Sequence, residues 1–78
     1  MKEGYLQKRE DGRFQLQDAD GNYITYFTSG NYIEIFDEDE EKWLIGAIEY
    51  NHGWDNYAFY NDYYGYLRIY NGDKARCK

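Results

Sequence analysis

Glycine stands at positions 4, 12, 21, 30, 46, 53, 65 and 72, and proline is absent from all 78 residues. Every gap between neighbouring glycines is 7 to 12 residues except the one from Gly30 to Gly46, and that gap holds its own punctuation, Asp37-Glu38-Asp39-Glu40-Glu41. A chain interrupted this often leaves little room for an amphipathic helix. What remains between the interruptions is short and rich in β-branched and aromatic residues, the pattern of an all-β sandwich or barrel. Asp11-Gly12, Asp20-Gly21-Asn22, Ser29-Gly30-Asn31 and Asn71-Gly72-Asp73 supply residues that tolerate the positive φ of hairpin turns.

Eight stretches read as strands: 4–9, 13–17, 23–27, 32–36, 42–50, 56–60, 66–70 and 74–77. Some are too short to be expected to persist, so five to seven antiparallel strands are predicted. Alternation supports the middle pair: Ile33 and Ile35 share one face, and Leu44, Gly46, Ile48 and Tyr50 alternate with Trp43, Ile45, Ala47 and Glu49. Residues 37–45 are the one place where acids at a helix start would suit the helix dipole, but a loop is expected there.

A chain of this length forms one domain, residues 1–78, and its single core supplies marginal stability. Small domains often rely on disulfides or zinc. Here the sole cysteine is Cys77, so no intrachain disulfide or cysteine-based zinc site is expected. Large rings must contribute instead, and the chain has eleven Tyr, four Phe and two Trp. Tyrosine adds apolar area while keeping a hydroxyl that needs water or a partner. Those rings either build the core or build a binding face. No apolar run approaches a membrane span and residues 1–12 resemble no signal peptide, so a reduced, cytoplasmic setting without membrane contact is expected.

The net charge of −6 is unevenly placed. Residues 1–36 carry −2, residues 37–62 carry −7 and residues 63–78 carry +3. An acidic protein is repelled by phosphate backbones, and Arg68, Lys74, Arg76 and Lys78 are too sparse for a nucleic-acid footprint. Direct nucleic-acid binding is not expected.

Catalysis requires convergent groups in a shielded site, and the sequence offers few. His52, the only histidine, reads as an exposed loop tip. Cys77 lies between Arg76 and Lys78, whose charges favour a thiolate, but a fraying end provides no scaffold. Asp37, Asp39 and Glu41 match three positions of a calcium loop, yet Lys42 stands where glycine is required. No phosphate loop, dinucleotide fingerprint, zinc-protease helix or nucleophile elbow occurs. The expectation is a non-enzyme without metal or cofactor.

Phe27-Thr28-Ser29-Gly30, then Ile33 and Ile35, then the six residues Asp37 to Lys42 before Trp43, and Gly46 three later, resemble the diverging turn, loop and tryptophan strand of SH3 domains. Gly65-Tyr66-Leu67 resembles that fold's closing element. The resemblance implies a small, strongly bent SH3-like barrel in which Phe27, Ile33 and Ile35 point inward. In peptide-binding members the matching tryptophan lines a ligand groove, which implies a binding role for Trp43. Gln15 and Gln17 stand where the family's groove tyrosines fall, Arg68 stands where its groove proline falls, and the Gly46–Gly65 spacing is enlarged.

Across its whole length the chain is similar to a family of small uncharacterised proteins from Gram-positive bacteria, often found on mobile elements. The matching residues are Gly4-x-Leu6, Gly12-Arg13-Phe14-x-Leu16, Ser29-Gly30-x-x-Ile33-Glu34, Trp43, Ile48-Glu49 and Gly72-x-Lys74-Ala75-Arg76. The similarity implies a bacterial module and no particular activity.

Together these features predict a non-catalytic module that binds an unidentified protein or peptide. Its face would join Trp43 with Tyr57, Tyr60, Tyr63, Tyr64 and Tyr66, and its rim would be Asp37, Glu38, Asp39, Glu40 and Glu41. Tyr and Trp are frequent anchors of such faces, and an acidic rim favours a basic partner. The alternatives are a self-associating structural protein, as a homodimer, and an acidic mimic of nucleic acid that inhibits a DNA-binding protein.

Overall fold

The computed structural model describes residues 1–78 as eight strands and no helix. They are β1 (Lys2–Lys8), β2 (Phe14–Gln17), β3 (Tyr23–Tyr26), β4 (Tyr32–Asp37), β5 (Lys42–Asn51), β6 (Asn56–Asn61), β7 (Gly65–Leu67) and β8 (Lys74–Cys77). All eight expected stretches form, so the count exceeds the five to seven predicted. Even the three-residue β7 persists, because it pairs along its whole length with the longer β6.

Every pairing is antiparallel, in one sheet ordered β3-β2-β1-β8-β4-β5-β6-β7. Two meanders, β1 to β3 and β4 to β7, are joined by β8, which pairs with β1 on one side and β4 on the other. The ten-residue β5 is shared in the same way. Its first half pairs with β4 and its second half with β6, with Ala47 facing both Tyr32 and Tyr60.

The turns follow the chemistry that announced them. Gly12, Gly21, Gly30 and Gly72 all have φ between +86° and +92°, a region that glycine enters without a side-chain clash. Aspartates brace the turns: Asp18 Oδ1 accepts the backbone N–H groups of Asp20 and Asn22, each at 2.9 Å. Residues 38–41 make a hairpin turn rather than a helix, with Asp37 Oδ1 accepting the N–H of Asp39 at 3.0 Å.

One core lies inside the bent sheet. It gathers Leu6, Phe14 and Leu16 from the first meander, Ile33, Ile48 and Phe59 from the second, Ala75 and Cys77 from β8, and Phe27 and Ile69 from connecting segments. Strands from both ends of the sheet order face this cluster, so the sheet is rolled upon itself. Phe27 and Ile33 are buried and Ile35 packs against the same cluster. Three of the four phenylalanines are buried and none of the eleven tyrosines is. A phenolic hydroxyl without a partner is costly to bury, so the division follows side-chain chemistry.

Cys77 does not fray. It is 4% exposed and pairs across from Lys2 in the ladder with β1. Burial pushes its thiol pKa up, outweighing the opposing effect of nearby Lys2 and the terminal amine. The thiolate expected from its flanking charges is therefore disfavoured.

Candidate functional site

Trp43 lies on the outer face of the sheet. In the β4–β5 register, Ile33 opposite Gly46 and Ile35 opposite Leu44 face the core, which turns Phe36 opposite Trp43 and Glu34 opposite Ile45 outward. The Trp43 ring meets Phe36 edge-on at 5.2 Å between centroids. The Arg76 guanidinium sits 4.1 Å from the Trp43 centroid, and Lys74 Nζ lies 5.2 Å from that of Phe36. One indole face is thus covered from within the chain.

Glu34 positions that cover. Its Oε1 accepts a hydrogen bond from Arg76 Nε at 2.8 Å and forms an ion pair with Nη2 at the same distance, and its other oxygen accepts from the Tyr32 hydroxyl. Although on the outer face, Glu34 is 2% exposed, because Tyr32 and Arg76 close over it. The Tyr32 hydrogen bond, aided by Arg76, holds its carboxyl below the usual range against the opposing effect of burial. The charge pair works as a bracket that fixes Arg76 over the tryptophan.

Beside Trp43, a shallow depression of about 350 Å³ is lined by Lys42, Ile45, Asn61, Tyr63 and Tyr64, among others. Ile45 is 60% exposed and Tyr63 85%. Asn61 ties the two hairpins together at this point: its Nδ2 donates to Ile45 O at 3.3 Å, and its Oδ1 accepts the Tyr64 N–H at 2.8 Å. Lys42 joins the acidic turn to the same depression through a 2.7 Å ion pair with Glu40. Glu38, Asp39, Glu40 and Glu41 are exposed and Asp37 is half-buried. No group of three or more His, Cys, Asp or Glu side chains converges as metal ligands do.

The six expected aromatic residues do not make one cluster. Trp43, Tyr63 and Tyr64 meet at the depression. Tyr60 and Tyr66 face each other across β6 and β7 with centroids 5.0 Å apart, and Trp54 approaches Tyr66 at 6.2 Å. Tyr57 is elsewhere. It shares the inward side of β6 with Phe59, packs against the core and meets Tyr50 edge-on at 5.1 Å. Tyr57 and Tyr60 are three residues apart, an odd number, so a pleated strand sends them to opposite faces. That parity was readable in the sequence.

Ile45 was also readable, standing two residues from Trp43 on the same face. Trp54 and Arg68 were not. Arg68 lies 4.2 Å from the Trp54 centroid, a meeting between a turn residue and a segment beyond β7 that no local pattern signals. His52 is exposed on the turn after β5, edge-on to Tyr50 at 4.9 Å.

No helix is long and apolar enough to cross a membrane. No curated protein and no solved structure matches the chain. A family model does match, from residue 4 to residue 77, and takes in β2 to β8 whole and most of β1. The chain therefore belongs to the family described as domain of unknown function DUF5348.

Proposed function

We propose that this domain is a non-catalytic module that binds another protein or peptide through the outer face around Trp43, Ile45, Tyr63 and Tyr64. The observation that carries the reading is the pairing of exposure with fixation: Ile45 and Tyr63 stand largely in solvent beside a tryptophan held by Phe36 and Arg76. Rigid aromatic anchors lose little entropy on binding, and such residues dominate interface energetics. The acidic turn reaches the same depression through Lys42 and Glu40, so a basic or basic-apolar segment is the complementary partner, with encounter speeded by charge. Tyr60 and Tyr66 extend the face, whereas Tyr57 has no part in it. The exposed His52 and the buried, protonated Cys77 fit a binding role better than a catalytic one. A cytoplasmic setting is part of the same proposal.

Affinity capture with tagged protein, followed by calorimetry with the recovered partner, tests the reading. Trp43→Ala loses one edge-on aromatic contact and two cation–π contacts, about 1.5 to 3.5 kcal/mol together. The domain should stay folded. Partner affinity should fall about 30-fold or more, as for an interface hot spot. Ile45→Asp, at a site 60% exposed, should leave stability nearly unchanged and weaken binding as strongly. Undiminished capture by folded Ile45→Asp protein would refute the assignment. A dimer that Ile45→Asp dissociates would assign the face to self-association instead.

A further inference from the structure

A second concavity shares no lining residue with the Trp43 depression, and two cations line it. It is a cleft of about 190 Å³ between the end of β1, the turn before β6 and the segment linking β7 to β8. Phe14 and Ile69, both buried, contribute apolar surface; Trp54, Asn56 and Tyr57 line it half-buried, and Lys8 and Arg68 supply charge. No carboxylate lines it, in a chain with fifteen acidic residues.

The two cations are also among the four that the fold leaves without a carboxylate partner. Five of the nine basic side chains are engaged in ion pairs, namely Arg9, Arg13, Lys42, Lys74 and Arg76. Of the remaining four, two meet in this cleft. Lys8 Nζ donates only to the neutral Asn56 Oδ1, at 2.9 Å, and the Lys8 backbone N–H is anchored to Asn71 Oδ1 at 2.7 Å. The Arg68 guanidinium is held over the Trp54 ring, a placement that orients the group without neutralising it. A fixed cation without an acceptor, next to a second one and to aromatic walls, suits an anion attached to a flat apolar body.

We propose that this cleft binds a small ligand bearing a carboxylate or phosphate on a planar ring, with Lys8 and Arg68 taking the anion. The ring lies among Trp54, Tyr57 and the apolar floor of Phe14 and Ile69. The volume admits one ring and its anionic substituent, which is smaller than the usual drug-sized site. The cleft adjoins the extended protein-binding face where Trp54 approaches Tyr66, but it shares no lining residue with the Trp43 depression.

Amide and indole chemical shifts of the uniformly nitrogen-labelled protein provide the test. Trp54 reports the cleft, and Trp43, which does not line it, is the internal control. Phenyl phosphate and benzoate are titrated at low salt, with benzamide as the neutral ring and inorganic phosphate as the bare anion. The expected result is saturable movement of the Trp54 indole and Asn56 side-chain signals, with Trp43 unmoved. For a ligand of about ten heavy atoms, the dissociation constant should be on the order of 1 mM. Benzamide and inorganic phosphate should bind about tenfold more weakly, and preference between the two anionic rings identifies the anion. Lys8→Gln with Arg68→Gln, both at exposed positions, should cost about tenfold. Asn56→Asp keeps the side-chain shape while giving Lys8 an internal counter-ion, and it should cost as much. Absence of Trp54 movement up to about 20 mM ligand, equal binding of benzamide, or unchanged affinity in Asn56→Asp would overturn the proposal.

Discussion

Replacing Gly46 with alanine should unsettle the whole domain, and the structure sets the scale of the loss. An added Cβ would lie 2.7 Å from two carbons of the Phe59 ring and still nearer the carbonyl oxygen of Tyr60. Neither neighbour can yield easily. The carbonyl belongs to the backbone of β6, and the Phe59 ring is 1% exposed, packed with Ile33 and Ile48. Overfilling a tight core costs about 1 to 3 kcal/mol, and displacing the Phe59 ring outright approaches the roughly 3 to 5 kcal/mol of deleting a buried phenylalanine. A loss of about 3 kcal/mol is expected. Against the roughly 4 to 12 kcal/mol available to a chain of this size, that is a large share. It corresponds to a fall in Tm of about 12 to 24 °C, read by circular dichroism. Gly53→Ala is the control, since an added Cβ there would meet only the Asn51 side-chain oxygen, at 3.3 Å, and φ is not in the left-handed region. Equal melting temperatures for the two variants would show that β5 and β6 do not depend on the close approach at Gly46.

Two further outcomes follow from the buried groups. The folded pKa of Glu34 is depressed below its ordinary 4.5, so its contribution is present above that pH and is lost as pH falls through the folded pKa. Glu34→Gln should lower stability at pH 7 by about 1 to 2 kcal/mol and converge with the parent in acid; parallel urea-denaturation curves at every pH would contradict this. Cys77, buried with a raised pKa, should react with a thiol reagent only as fast as the protein opens. Labelling at the rate of a free peptide thiol would show that β8 is not docked.

Much of the fold could be read from local chemistry. Except for β7, which ends at Leu67, three residues short of the expected 66–70, the strands fall within about two residues of where turn residues and alternation put them, because in so small a sheet each turn is specified by its own Asp, Asn and Gly. What the sequence concealed is everything that depends on strands distant along the chain. Nothing near Lys74-Ala75-Arg76-Cys77 announces that this strand enters between β1 and β4, and so its cysteine was misplaced at a frayed end. The proposed binding face was half legible. Trp43 and Ile45 declared themselves by shared parity, as did the separation of Tyr57 from Tyr60. The cleft was invisible, since Lys8 and Arg68 are sixty residues apart and meet only after the sheet has rolled.

The position of β8 has a consequence for how the domain comes into being. A ribosome delivers seven strands before the one that fills the middle of the sheet. Until residues 74–77 emerge, the two meanders have facing edges, at β1 and β4, with no strand between them. Closure of the domain then couples the two ends of the chain, a pairing of high sequence separation that slows folding. The nascent chain therefore passes through a stage with two open β edges, which is the stage most exposed to mispairing with other chains.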